Sequence, residues 1–279
     1  FSDGDVIDMR LPMSLRLESM PDNADRVAIM YGPIVLGGAL GTEGLPEGGA
    51  YADSDVAFIE EPTPDVPVLV ADRGRLKEWV KPLAGDPLTF HTVGAGQPAD
   101  VVLKPFYRIH HERYSIYWDL FDQEGWARER AAYEAARAER RDIEENTVEN
   151  VRLGIMLVEN DHHFEGERSE AGVAFGDKYR EASPGGWFAF DIAVDPAAAN
   201  DLMCTYWGGD RGGRRFSISV DGTEVAEQVL DFDAPGEFFT VRYPLSSDLT
   251  NGRDSVRLRF DSVERGRVGR VFDCRTLRR

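Results

Sequence analysis

The sequence has few of the residues that mark a catalytic or metal centre. It contains two cysteines, Cys204 and Cys274, with no C-x-x-C spacing, so a zinc site built from cysteines alone is excluded. The motifs G-x-S-x-G and H-E-x-x-H and the phosphate-binding glycine loops are missing. We therefore assign no catalytic residue. The cysteines are either two small buried strand residues or a disulfide.

Positive charge is also scarce. The chain has 32 Lys and Arg against 50 Asp and Glu, and its net charge is −18. Such a surface repels phosphate backbones and anionic headgroups, which excludes nucleic acid and membrane as partners and leaves neutral sugars and cations. We expect no cofactor; a structural calcium ion would suit the acidic turns, but no ligand pattern supports one.

No apolar run reaches the roughly 20 residues that a membrane-spanning helix needs. The chain begins FSDGDVID, without an initiator Met or the basic and apolar regions of a signal peptide. We expect that it was cut from a longer protein or is a mature end. Whether that protein is cytoplasmic or secreted stays open.

Most of the chain reads as short strands separated by Gly, Pro, Asp and Asn. Apolar and polar residues alternate over residues 5–18 and 113–121, as on strands with one buried face. Residues 41–66 are rich in Gly, Pro and acid and predict a long loop. The segment that begins at residue 153 has seven or eight strand patterns, a polar, turn-rich stretch at residues 160–172, and a hairpin signal at Asp221–Gly222.

The exception is the segment 122–152, which alone has the composition of a long helix. Asp122 is its predicted N-cap, and its sparse apolar residues form one narrow stripe. The stripe either lies on the first half or bridges both halves. The prediction is a mainly β protein with two β-sandwich (jelly-roll-like) domains, 1–121 and 153–279, joined by one long α-helix.

The most distinctive stretch for a binding site is YWGGDRGGRR. Its four glycines let the backbone adopt positive φ and let another surface approach closely. Trp207, with Tyr206 beside it, could stack on a sugar ring, and Asp210 and Arg214 could bind its hydroxyls. The alternative is structural: Tyr206 or Trp207 fills the core, and Asp210 and Arg214 close the loop as an ion pair.

Two histidine clusters are weaker candidates for metal sites. Along an extended strand, His110 and Glu112 would share one face, and so would Asp161, His163 and Glu165. The simpler interpretation of both is a hydrogen-bonded histidine near a strand end, so no metal site is assigned.

Several motifs resemble one enzyme family. The segment DGDVIDMRLPM followed by VAIMYGPIVL, the segment HHERYSIYW, and the later stretches HHFEGERSEAG and YWGGDRGGRR occur in the order found after the catalytic barrel of bacterial β-L-arabinofuranosidase-like glycoside hydrolases. The resemblance implies two β-sandwiches without the catalytic machinery. That machinery lies on an (α/α)6 barrel with a cysteine nucleophile, a zinc site and a glutamate, and none of these matches Cys204 or Cys274.

Three functions follow as hypotheses. The first is a non-catalytic accessory region that supports the catalytic barrel of a parent glycoside hydrolase. The second is a free-standing module that binds oligosaccharide or associates subunits, including as a homodimer. The third is an enzyme whose acid pair is unidentified; with 50 acidic residues, no pair can be singled out from the sequence.

Overall fold

The computed structural model describes residues 4–6, 8, 9, 13–42 and 65–279. It confirms a mainly β protein with two sheets and one long helix between them along the chain. The chain divides into two compact units, and the division falls after Glu139, inside that helix. The long loop predicted at residues 41–66 lies almost entirely outside the described residues.

The first unit contains a ten-stranded sheet in which β1 is an additional partner of β2 and β9 of β3. Short helical turns lie at Arg73–Arg75 and Phe106–Arg108, and helix α1 is Leu76–Trp79. The strands are β1 (Leu15–Ser19), β2 (Arg26–Tyr31), β3 (Ile34–Ala39), β4 (Val68–Val70), β5 (Val80–Pro82), β6 (Phe90–Thr92), β7 (Gly96–Gln97), β8 (Val102–Pro105), β9 (Tyr114–Ser115) and β10 (Trp118–Phe121).

The core of the first unit forms around β2 and β3, a hairpin that turns at Gly32. Four consecutive residues of β2, Val27–Met30, are buried, as the near-continuous apolar run in the sequence predicts. Trp118 is 1% exposed and its ring lies against Gly38, where a Cβ would come within 2.3 Å of it. A glycine is therefore required at this position of β3. β1 begins at Leu15, later than the sequence pattern indicates.

The long helix α2 spans Gln123–Asn146 and has no buried residue. Its N-terminal half is attached to the first unit by an aromatic cluster in which Trp126 and Tyr133 lie 6.0 and 5.6 Å from the ring of Phe121. The Tyr133 hydroxyl donates to Asp119 Oδ2 at 2.7 Å. Tertiary contacts of this kind stabilise a helix whose own apolar stripe is thin.

The helix ends six residues earlier than the sequence predicts. Thr147–Arg152 form strand β11, which pairs antiparallel with the last strand of the chain. Thr147, Val148 and Val151 are β-branched residues, which favour a strand once a partner edge is available. The prediction of helix over residues 147–152 is therefore wrong.

The second unit contains a nine-stranded sheet, with helices α3 (Met156–Asp161) and α4 (Ser247–Thr250) at its connections. After β11 its strands are β12 (Glu165–Ala174), β13 (Asp177–Ala193), β14 (Asn200–Trp207), β15 (Arg214–Val220), β16 (Thr223–Leu230), β17 (Phe238–Pro244), β18 (Ser255–Ser262) and β19 (Val268–Arg278). The hairpin predicted at Asp221–Gly222 joins β15 to β16.

Strand β13 is shared by the two layers of this sandwich. Its residues 187–193 pair with β18, whereas Arg180 and Ala182 pair with β19. The register of the pairing with β19 shifts between Arg180 and Ala182. The layers β16-β15-β18-β13 and β13-β19-β14-β17 enclose one apolar core. Across it, the ring of Tyr206 on β14 lies 5.9 Å from that of Phe216 on β15, a strand with which β14 does not pair.

Strand β12 replaces much of the polar, turn-rich stretch that the sequence predicts at residues 160–172. It pairs with β13 along nearly its whole length, although most of its residues are exposed. Without a buried face it lacks the alternation of apolar residues that identifies strands, so the sequence gives no signal for it. None of the helices within the described ranges combines the length and apolar character needed to cross a bilayer.

Asp119 should make the first unit sensitive to acid. Burial alone would raise the pKa of Asp119, but hydrogen bonds from Arg26 and Tyr133 outweigh it and hold this pKa below its ordinary value. A depressed pKa in the folded state contributes stability above the unfolded pKa of about 3.9, and this contribution is lost as the pH falls through the folded pKa.

We therefore predict that Asp119→Asn lowers the free energy of unfolding of the first unit at pH 7 by about 1–2 kcal/mol, because Arg26 and Tyr133 lose a charged acceptor. It should also weaken the loss of stability between pH 4 and the folded pKa. Urea unfolding followed by circular dichroism measures both, with Asp86→Asn, at an exposed carboxylate, as the control. An unchanged acid dependence in Asp119→Asn would contradict the assignment.

Candidate functional site

Trp207 and Phe238 form an aromatic pair on the outer face of the second unit. They are directly opposed in the register of β14 and β17, with ring centroids 5.1 Å apart at 71°. Side chains alternate along a strand, so the preceding Tyr206 and the following Phe239 point into the core. Phe238 is 39% exposed and Trp207 is half-buried.

Phe175 completes this surface from a different hairpin. It lies in the two-residue turn between β12 and β13, and its ring stacks on Trp207 with centroids 3.6 Å apart and planes at 17°. Phe175 is 55% exposed and has φ +56°, and Gly176 after it also has positive φ. We call Phe175, Trp207 and Phe238 the aromatic patch.

The conformation of Phe175 is costly. Such a turn favours Asn, Asp or Gly at its first central position, because a left-handed backbone brings Cβ close to the following carbonyl oxygen. A bulky residue there costs about 1–2 kcal/mol. The structure therefore keeps a half-exposed phenyl ring at a position where an asparagine would fold more easily.

Two further aromatic rings, of Phe272 and Tyr179, and the guanidinium group of Arg270 lie beneath the aromatic patch on the sheet. Phe272 of β19 is buried, with its ring 4.8 Å from Phe238 and 5.7 Å from Tyr179. The guanidinium carbon of Arg270, also on β19, lies 5.9 Å from the Phe175 ring centroid and 5.3 Å from that of Tyr179. These contacts fix the positions of the exposed rings.

The glycines of the loop after Trp207 have local structural roles. Gly212 and Gly213 have φ near +80°, so two of the four glycines adopt the positive φ that the sequence analysis expects, whereas Gly208 and Gly209 do not. A Cβ on Gly208 would come within 2.0 Å of the Ala234 carbonyl oxygen. The surface that approaches this backbone is thus the chain's own loop between β16 and β17.

Asp210 anchors this loop from the inside. Its carboxylate is 4% exposed and lies 3.0 Å from Arg214 Nε and 3.5 Å from Arg270 Nη1. Arg214 also donates to the Arg211 carbonyl oxygen at 2.6 Å. The two residues predicted to bind sugar hydroxyls therefore close the loop as an ion pair, which is the structural alternative left open by the sequence.

Tyr206 is enclosed in the core. It is 0% exposed, and its hydroxyl lies 3.0 Å from that of Tyr243, which donates to Gln228 Oε1 at 2.6 Å. Burial, reinforced by the neighbouring Cys204, raises the pKa of Tyr206 well above its ordinary value, so the phenol stays neutral. A sugar at the surface cannot reach this side chain.

Of the four predicted residues, the structure thus places only Trp207 on the surface where a ligand could stack. Sequence reasoning missed its partners Phe175 and Phe238. Phe238 faces Trp207 only through a strand pairing that the sequence does not specify. The Phe175–Gly176 dipeptide is a possible hairpin turn, and a strong strand pattern follows it in the sequence. The strand before it, β12, is mostly exposed and has no alternating apolar pattern, so the sequence alone does not identify the hairpin.

The histidine clusters are held by separate partners. Glu112 pairs with Lys104 Nζ at 2.8 Å, while His163 Nδ1 lies 3.0 Å from Asp191 and Glu165 lies 2.7 Å from Arg257. Across the described ranges, no three His, Cys, Asp or Glu side chains converge as a metal site would require.

The first unit has a groove of about 590 Å³ between β1 and the helical turn at residues 73–79. Its lining includes Arg16, Arg73 and Arg75, which pair with Glu18, Asp25 and Glu78 respectively. Because these three arginines already pair with carboxylates of the same chain, we assign no anion site to the groove.

The buried carboxylate of Asp210 should dominate the stability of the loop that carries Trp207. We predict that Asp210→Ala lowers the free energy of unfolding of the second unit by about 3 kcal/mol, because Arg214 and Arg270 lose their shared buried partner. Urea unfolding measures this change. Asp231→Ala, at an exposed position in the adjacent loop, is the control and should change it by less than about 0.5 kcal/mol. Equal effects of the two variants would refute the role of Asp210.

Two family models match the chain. Residues 16–120 match a domain of unknown function, DUF4986, and residues 142–277 match a family of unknown function, DUF6805. Residues 121–141, which include most of α2, lie between the two matches. No curated protein matches the chain.

Fifty-six chains among solved structures are similar to this one. A family 35 carbohydrate binding module from Clostridium thermocellum is 13% identical with a TM-score of 0.35, over 42% of this chain and 92% of that one. The C-terminal CBM6 of a marine laminarinase from Zobellia galactanivorans is 15% identical with a TM-score of 0.35, over 48% and 100%. The Podospora anserina GH26-CBM35 β-(1,4)-mannanase is 13% identical with a TM-score of 0.35, over 48% and 28%. These similar structures are thus carbohydrate-binding modules and glycoside hydrolases.

Proposed function

We propose that this chain is an accessory region of a larger glycoside hydrolase and that its second unit binds carbohydrate at the aromatic patch. The observation that carries the proposal is Phe175, a half-exposed phenyl ring in a left-handed backbone conformation, stacked on Trp207. Strain of this kind persists where the surrounding structure imposes it, and it is concentrated at functional sites.

The chemistry of the patch suits a sugar. The C–H face of a pyranose or furanose ring is apolar and packs on an aromatic face, while its hydroxyls stay in contact with water or with polar groups at the rim. One face of Trp207 is covered by Phe175, so the free surface is the outer side of Phe175 together with the exposed part of Phe238. The net charge of −18 favours a neutral sugar over a polyanion.

For the parent enzyme we propose a β-L-arabinofuranosidase-like glycoside hydrolase. The support is the order of the motifs VAIMYGPIVL, HHERYSIYW and YWGGDRGGRR. In such a parent, the first unit would support the catalytic barrel. The barrel, an oligosaccharide and a second copy of this chain are the partners that this proposal admits, and the chain itself would be non-catalytic.

The test is a substitution that removes the ring without harming the turn. We predict that Phe175→Asn weakens binding of neutral plant-type oligosaccharides, such as arabino-oligosaccharides, by at least about tenfold, or ~1.4 kcal/mol. Its stability should change little, because relief of about 1–2 kcal/mol of backbone strain offsets the loss of about 0.5–1.5 kcal/mol of stacking on Trp207. Calorimetric titration of the whole chain measures affinity, and urea unfolding measures stability.

Phe106→Ala is the matched control, because Phe106 is 40% exposed and lies 5.2 Å from Tyr114 in the first unit. It should leave affinity unchanged, and Trp207→Ala should abolish binding. If no oligosaccharide binds the wild-type chain, or if Phe175→Asn alters only the oligomeric state in native mass spectrometry, the patch is not a sugar site. Hydrolysis of arabinofuranosides by this chain alone would contradict the accessory role.

A further inference from the structure

The two cysteines face each other across neighbouring strands. Cys204 on β14 and Cys274 on β19 are directly opposed in the antiparallel register. Their sulfur atoms lie 3.4 Å apart, both residues are 0% exposed, and both thiols are free. The structure thus agrees with the first interpretation from the sequence, two small buried strand residues, but it also brings them together.

The strand pairing gives this pair the geometry of a disulfide. Opposed residues of antiparallel strands have Cα atoms about 4.5 or 5.5 Å apart. Disulfides span Cα separations of about 4.4–6.8 Å, so no movement of the strands is required. The sulfur atoms must approach by about 1.4 Å to reach the bonding distance of about 2.05 Å, which small χ1 rotations supply.

We propose that Cys204 and Cys274 are an oxidative modification site at which a disulfide oxidant, such as oxidised glutathione, closes a bond between β14 and β19. In the first step one thiolate attacks the oxidant, forms a mixed disulfide and releases one reduced glutathione. In the second step the other thiolate displaces the second glutathione and completes the protein disulfide. Two thiol protons and two electrons leave the cysteines, and the oxidant is reduced to two thiols.

The site should react while the chain is folding rather than after it has folded. Glutathione has no access to two fully buried sulfur atoms. Burial also raises the pKa of Cys274 well above its ordinary value, and the neighbouring Cys204 adds to the effect. Since the thiolate is the nucleophile, the closed core suppresses the reaction until β14 and β19 separate.

The bond would join the strand that organises the second unit to the strand that carries Trp207. β19 pairs with β11, β13 and β14, so a covalent link at Cys274 holds a strand that has three neighbours. It would also close a chain loop of about 70 residues, which restricts the unfolded state. The inference does not depend on the proposed binding of carbohydrate.

The test is refolding of the whole chain under defined redox conditions. Reduced protein is unfolded in urea, refolded by dilution into a mixture of reduced and oxidised glutathione, denatured again, alkylated and weighed by mass spectrometry. We expect a monomer that takes up no alkylating reagent and is lighter by two hydrogen atoms. Two alkylated cysteines, or disulfide-linked dimers, would overturn the proposal.

A stability measurement with a matched variant separates the bond from other effects of the buffer. The oxidised protein should unfold at a higher urea concentration than the reduced protein, and added reductant should abolish the difference. The double variant Cys204→Ala/Cys274→Ala should show the same midpoint in both buffers. A shift in this variant equal to that of the wild type would show that the cysteine pair is not responsible.

Discussion

The second unit depends on the pairing of β19 with three other strands. As the last strand of the chain, it brings together β11, β13 and β14, and its side chains contact both the aromatic patch and the loop at Asp210. Arg270 reaches Asp210, Phe272 supports Phe238, and Cys274 lies against Cys204. β19 pairs with β14 on one edge and with β13 and β11 on the other. Such a strand cannot shift its register without exposing one of its faces, so these three contacts are specified together.

This constraint explains how an exposed aromatic surface can be ordered. Phe175 lies at the tip of a hairpin whose strand β12 is almost wholly exposed, and such a hairpin alone would be marginal. Its partner strand β13 is anchored in the core at Phe188 and Phe190 and pairs with β19 at its other end. The core packing and strand pairing of β13 thus stabilise the hairpin enough to keep Phe175 in its strained backbone conformation.

The sequence predicted what depends on local pattern and missed what depends on partners. Both sheet-rich halves, the buried run of β2 and the Asp221–Gly222 hairpin follow from periodicity and turn chemistry. The sequence pattern extends α2 too far because β11 becomes a strand only through its pairing with β19. It gives no signal for β12 because that strand buries almost none of its residues. At the site, the sequence identifies Trp207. It does not show that Tyr206 points into the core, or that Asp210 pairs with Arg214 and with Arg270, which is distant in sequence.

A fragment that begins at residue 153 would lack β11, so binding is best studied on the whole chain.

The central claim is that the aromatic patch is where this chain meets a sugar. The most direct measurement is an amide and indole NMR titration of the whole chain with a neutral plant-type oligosaccharide. The account predicts the largest shifts at the Phe175 and Gly176 amides and at the Trp207 indole N–H, with the buried loop at Asp210 nearly unchanged. An absence of shifts at saturating sugar, or shifts confined to the first unit, would contradict it.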